Sequence, residues 1–131
     1  MNQSPLRLKW ALVLILAGGI ARAADLATLP LNPGTYVLAS YPRCEEAPLA
    51  AVVRFDGRSL AGPHDSNCRT EILERDGSTF RIRRGCRADG ASQPSIPDEF
   101  VETVQVKSRT AIVLTPASGE PQNYALCPGF R

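Results

Sequence analysis

Beyond residue 23 the sequence has no tryptophan and no methionine, and the whole chain carries one histidine, His64. Aromatic residues make up only 6% of the chain. After residue 23 they are Tyr36, Tyr41, Tyr124, Phe55, Phe80, Phe100 and Phe130. So few rings do not line a large aromatic ligand cavity, and core packing accounts for most of them. Cys44, Cys68, Cys86 and Cys127 include no Cys-x-x-Cys pair, and His64 has no metal-ligand spacing around it, so neither a zinc site nor another metal or cofactor site is expected. The longest apolar run, Trp10 to Ile20, is 11 residues. A spanning helix needs about 20, which excludes a membrane span.

That run has a different meaning. Arg7 and Lys9 precede it, and Ala21-Arg22-Ala23 follows with small residues where a signal peptidase reads. This is the pattern of a secretory signal peptide over residues 1–23, cleaved before Ala24. Gly19 stands where a lipoprotein box would carry its cysteine, so no lipid anchor is expected. The mature chain, residues 24–131, is one domain, periplasmic or secreted, from a Gram-negative bacterium. Removing Arg7, Lys9 and Arg22 leaves twelve basic against thirteen acidic residues, a formal charge of −1. Such a balance gives no electrostatic basis for nucleic-acid or anionic-membrane binding.

A domain of this size is marginal on its core alone, and four cysteines in an exported chain read as two disulfides. Short apolar segments alternate with turn residues throughout, and no helical periodicity of useful length appears. Eight strands are expected: 34–41, 49–55, 58–62, 69–75, 79–84, 99–107, 110–115 and 122–127. Asp56-Gly57 and Asp76-Gly77 mark hairpins. The fold class is all-β, a small antiparallel barrel or sandwich of about eight short strands.

The hairpin at Asp76-Gly77 can be set in register. If paired positions sum to 154, then Ile72 faces Ile82, Glu74 faces Phe80, Thr70 faces Arg84, and Glu71 meets Arg83 as an opposite-charge pair. Cys68 then faces Cys86 within disulfide range. Elimination leaves Cys44 with Cys127, tying the first strand to the last. On the chain-entropy argument the shorter loop contributes about 3 kcal/mol and the longer somewhat more.

Chemical leads are few. His64-Asp65-Ser66 holds base, acid and nucleophile types, but three consecutive side chains diverge and cannot form a relay; Gly62-Pro63 and Asn67 mark a turn there. Glu45-Glu46 and Asp98-Glu99 read as solvated loop charge. The cluster Arg81, Arg83, Arg84 and Arg87 is the most unusual local feature. Strand alternation puts Arg81 and Arg83 on one face and Arg84 on the other. Arg81, Arg83 and Arg87 are the candidate binding residues for an acidic or anionic partner. The bland reading is a charged outer sheet face balanced by Glu71 and Glu74. The polar stretch 87–97, with Pro94 and Pro97, is expected to be an exposed loop.

Gly34-Thr35-Tyr36 resembles the Gly-x-aromatic opening of lipocalin-like barrels. Length, export signal and paired cysteines are similar to small periplasmic lysozyme-inhibitor barrels. Ser118-Gly119 with Tyr124 does not keep the Ser-Gly-x-x-Tyr spacing of those inhibitors, so no inhibitory loop is carried over. With Phe55-Asp56-Gly57-Arg58 added, the chain most resembles uncharacterised exported proteobacterial small β-domain proteins. That resemblance implies a fold and no activity. The expected function is a non-enzymatic binding or interaction module acting on an envelope protein or a small ligand. The alternatives are a lipocalin-type carrier and, behind it, a small hydrolase using scattered acids.

The export reading predicts that the protein recovered from the envelope begins at Ala24 and weighs four hydrogens less than its reduced form by mass spectrometry. A retained Met1 or a free thiol would overturn it.

Overall fold

Ring closure begins with two strands far apart in sequence. In the computed structural model, which describes residues 28–88 and 98–130, β1 (Gly34–Leu38) pairs with β8 (Gln122–Leu126) through Tyr36↔Leu126, Val37↔Ala125 and Leu38↔Tyr124. The remaining strands are β2 (Val52–Phe55), β3 (Leu60–Ala61), β4 (Asp65–Asp76), β5 (Thr79–Ala88), β6 (Asp98–Ser108) and β7 (Ala111–Pro116). All pairings are antiparallel, and the spatial order is β3-β2-β1-β8-β7-β6-β5-β4. Apart from β3 and β4, which form the two edges, sequence neighbours are sheet neighbours, and β1–β8 joins the two halves. The result is an up-and-down meander curled into a nearly closed barrel, which settles the choice between barrel and sandwich. The signal-peptide residues and the segment 89–97 lie outside the described residues.

Alternation explains the interior. Tyr36, Leu60, Phe80, Ile82, Val104 and Ile112 are the largest fully buried side chains, and Val53, Phe55, Leu114 and Tyr124 pack with them. Outside the irregularities of β4, the strands send every second side chain inward, the period-2 pattern of a sheet with one inner face. Burying such side chains supplies the main stabilisation, about 1.5–3 kcal/mol for each large one.

One end of the barrel is plugged by the segment before β1. Leu29 and Leu31 join the core. Asn32 N–H donates to Arg109 O at 2.8 Å. The Tyr36 hydroxyl lies 2.7 Å from Asn32 O and 3.0 Å from Arg109 O, so one phenolic proton serves two carbonyls. Gly34 has φ +149°, and a Cβ there would stand 2.6 Å from Leu126 Cδ1. The Gly34-x-Tyr36 opening thus has two physical jobs. Glycine lets β8 approach, and tyrosine ties the plug to the β6–β7 turn.

Outside the barrel the chain between β1 and β2 folds over a second cluster. Val37, Val52 and Cys127 are buried there against Tyr41, Cys44 and Ala47. Two 3-10 turns, Cys44–Glu46 and Leu49–Ala51, shape this segment. Cys44–Cys127 clamps it, with Cα atoms 6.2 Å apart across 83 positions. The expected strand from residue 49 therefore starts three residues late, because Pro48 sets up a 3-10 turn over Leu49–Ala51.

The β4–β5 hairpin carries the second cystine, Cys68–Cys86, with Cα atoms 4.1 Å apart. Thr70↔Arg84, Glu71↔Arg83 and Ile72↔Ile82 hold as the register argument requires. Nearer the turn it slips by one: Glu74 pairs with Arg81, and Arg75, not Glu74, faces Phe80. Gly77, at φ +60°, and Ser78 form a two-residue turn between the Asp76↔Thr79 pair. A bulge between Ile72 and Glu74 absorbs the extra residue. The Arg75 guanidinium sits over the Phe80 ring, 5.1 Å from its centroid.

Burial raises the phenol pKa values of Tyr36 and Tyr124 above the ordinary 10.0. Their neutral forms are favoured in the folded state, so stability is intact below about pH 10 and declines as pH rises through that value and the unfolded phenols ionise. Alkaline denaturation should show this decline, and Tyr36→Phe should flatten it while lowering neutral-pH stability by about 1 kcal/mol. Equal slopes for both proteins would contradict the assignment.

Candidate functional site: the cleft at the barrel seam

The sheet's two edges, β3 and β4, meet where the ring closes. Two side chains accept backbone N–H groups here, beside a backbone bond from Asp65 N–H to Gly62 O at 3.4 Å. Leu60 N–H donates to Thr70 Oγ1 at 3.0 Å, and Gly62 N–H to Asp65 Oδ2 at 3.0 Å. β3 is two residues long, whereas β4 has twelve. A cleft of about 380 Å³ opens here, lined by Arg54, Asp56, Ser59, Ala61, Asp65, Asn67 and Cys68.

Local sequence places each lining group. Arg54 is exposed on β2 opposite Ala61, and its Nη2 donates to Pro63 O at 3.2 Å. Asp56 opens the β2–β3 turn as an Asx turn: its Oδ1 accepts from Ser59 N–H at 2.7 Å and Arg58 N–H at 2.8 Å. These backbone donors, Ser59 first and then Arg58, hold the Asp56 carboxyl below the usual carboxylate range. Asp65 and Ser66 belong to the start of β4, not to the turn that Gly62-Pro63 and Asn67 suggest; exposed His64 remains in the turn. Asn67, at φ +49°, occupies a second β4 irregularity, between Ser66 and Arg69. Asparagine tolerates this left-handed conformation better than most residues. Asp65, Cys68 and Cys86 have ligand-type atoms within 4.8 Å of one another, but both sulfurs are joined in the cystine and present no thiolate to a metal.

The arginine cluster divides as strand alternation requires. Arg81 and Arg83 lie exposed and pair across to Glu74 at 3.5 Å and Glu71 at 3.2 Å. The backbone of Arg87 faces Ser66, and its side chain lies outside the described residues. Arg84 turns the other way and meets Glu102 at 2.9 Å, with side chains only 12% and 8% exposed. Arg84 Nε and Glu102 Oε2 are buried without a hydrogen-bond partner among the described residues. Tyr124 O–H donates to Gln122 Oε1 at 3.1 Å nearby, and burial, partly opposed by Arg84 and aided by Glu102, raises its pKa. Phe100, 47% exposed, stands opposite Arg84.

Sequence reasoning did not single out Arg54, Asp56 or Asp65 as a group, because their meeting depends on ring closure. Glu102 did carry a signal. It shares the inward parity of Val104 and Val106, where a lone carboxylate needs a buried cation, and Arg84 shares that of Phe80 and Ile82.

Comparison with protein families, with curated proteins and with solved structures returned no match.

Removing one partner of the Arg84–Glu102 pair leaves a buried, uncompensated charge. Arg84→Met should destabilise the protein by about 3–5 kcal/mol in denaturant unfolding, and adding Glu102→Leu should restore most of that. A single variant as stable as the parent would contradict the buried pair.

Proposed function

We propose that this chain is an exported, non-enzymatic binding or interaction module of the bacterial envelope, and that its target engages the seam cleft. One observation carries the reading: at the sheet's weakest closure, a concave surface presents Arg54 beside the carboxylates Asp56 and Asp65. A rigid barrel with a polar concavity between its edges offers opposed charges to an incoming polar group, and function on such scaffolds concentrates in turns of this kind.

The interior supports interaction over carriage. Tyr36, Leu60, Phe80, Ile82, Val104 and Ile112 occupy the space a lipocalin-type ligand would need. The hydrolase alternative finds little support in the cleft. A general acid requires a raised carboxyl pKa, whereas that of Asp56 is lowered. The outer Arg81 and Arg83 face is a weaker candidate surface, since both guanidinium groups already pair with glutamates.

The test is capture of crosslinked partners from the organism's envelope by tagged residues 24–131, compared with Arg54→Glu and with Arg81→Glu/Arg83→Glu. A partner lost with Arg54→Glu and kept by the double variant is expected. Loss only in the double variant would move the surface to the outer face. No partner above background would overturn the interaction reading in favour of a small-ligand screen.

A further inference from the structure

Each cystine joins one half-buried cysteine, Cys44 or Cys68, to one buried cysteine, Cys127 or Cys86. What separates them is location: Cys44 and Cys127 pack in the outer cluster with Val37 and Val52. Cys68 lines the seam cleft, while Cys86, directly across on β5, is buried. A nucleophile entering the cleft therefore comes up against Cys68 and not Cys86, which is bonded to it. Breaking that bond need not unfold the strands. The β4–β5 ladder continues on both sides of it, from Asp65↔Ala88 to Asp76↔Thr79, and the Glu71–Arg83 and Glu74–Arg81 pairs add to the register.

We propose that Cys68 is a thiol-modification site: a thiolate enters the seam cleft, attacks Cys68 Sγ and displaces Cys86, while Cys44–Cys127 stays intact. A bond forms between the incoming sulfur and Cys68 Sγ, and the Cys68–Cys86 bond breaks. Cys86 leaves as a thiolate and takes a proton from water, so one thiol is oxidised as another is reduced. With a dithiol reagent, its second thiolate attacks the mixed disulfide and releases Cys68, leaving both protein cysteines reduced and the reagent as a disulfide. The Asp65 carboxylate lies within 4.8 Å of both sulfurs and repels the approaching anion. It therefore sets the rate, and Arg54 in the same cleft opposes it. This inference does not require the cleft to bind a target.

The folded protein, oxidised and oxygen-free, is mixed with reduced glutathione, quenched with iodoacetamide and mapped by peptide mass spectrometry. Glutathione on Cys68, alkylated Cys86 and an intact Cys44–Cys127 bond are expected, at a rate rising linearly with glutathione. Asp65→Asn, which keeps an acceptor for Gly62 N–H, should react about tenfold faster, the scale of one unit charge at that range near a protein surface. Glutathione found first on Cys86, Cys44 or Cys127 would overturn the proposal. So would a rate that levels off with glutathione, which marks attack only after unfolding, or an unchanged rate in Asp65→Asn.

Discussion

The β1–β8 ladder is the constraint on which this structure depends. Without it the strands would form an open meander with a one-sided apolar face. With it, Tyr36, Val37 and Leu38 are locked to residues almost ninety positions away, and every inward side chain gains a wall opposite. The sequence serves this junction at close range. Gly34 gives Leu126 room, Tyr36 fastens the plug, and Cys127 N–H continues the ladder onto Thr35 O at 2.8 Å. Cys44–Cys127 then clamps the outer cluster to the same strands. The long-range cost of closing the ring thus falls on one place that is stapled, packed and hydrogen-bonded.

Closing a ring at one junction leaves its other ends to meet. β3 and β4 do so with little backbone to share, because β3 is two residues long and β4 is irregular at Asn67. Thr70 and Asp65 answer backbone donors across the gap, and Asp56 spends its carboxylate on its own turn. The same economy produces the cleft. Groups that would be spaced along a regular edge instead converge around Arg54 and Cys68. Binding, as proposed, and thiol access to Cys68, as inferred, both draw on this incomplete closure.

Much of the scaffold was legible because its signals are local. Asp-Gly turns bracket strands, alternation separates Arg81 and Arg83 from Arg84, and the opposed Ile72 and Ile82 fix a register that brings Cys68 to Cys86. What failed was also local but finer. A two-residue turn at Gly77-Ser78 shifts the register near the hairpin tip, and only a bulge past Ile72 reconciles the two halves. The site was less legible than the fold. Arg54, Asp56 and Asp65 belong to three different elements, and nothing in their spacing announces that ring closure brings them together. The Arg84–Glu102 pair lay within reach of parity reasoning, since both charges sit at inward positions otherwise held by apolar residues.

The ring is strong at β1–β8 and weak at β3–β4. Native-state amide hydrogen exchange, read residue by residue, tests this directly. Slow exchange is expected across β1 and β8, with the amides of β3 and the β3-facing edge of β4 exchanging through openings of much lower free energy. Equal protection at the two junctions would contradict it and would remove the physical basis for a site at the seam.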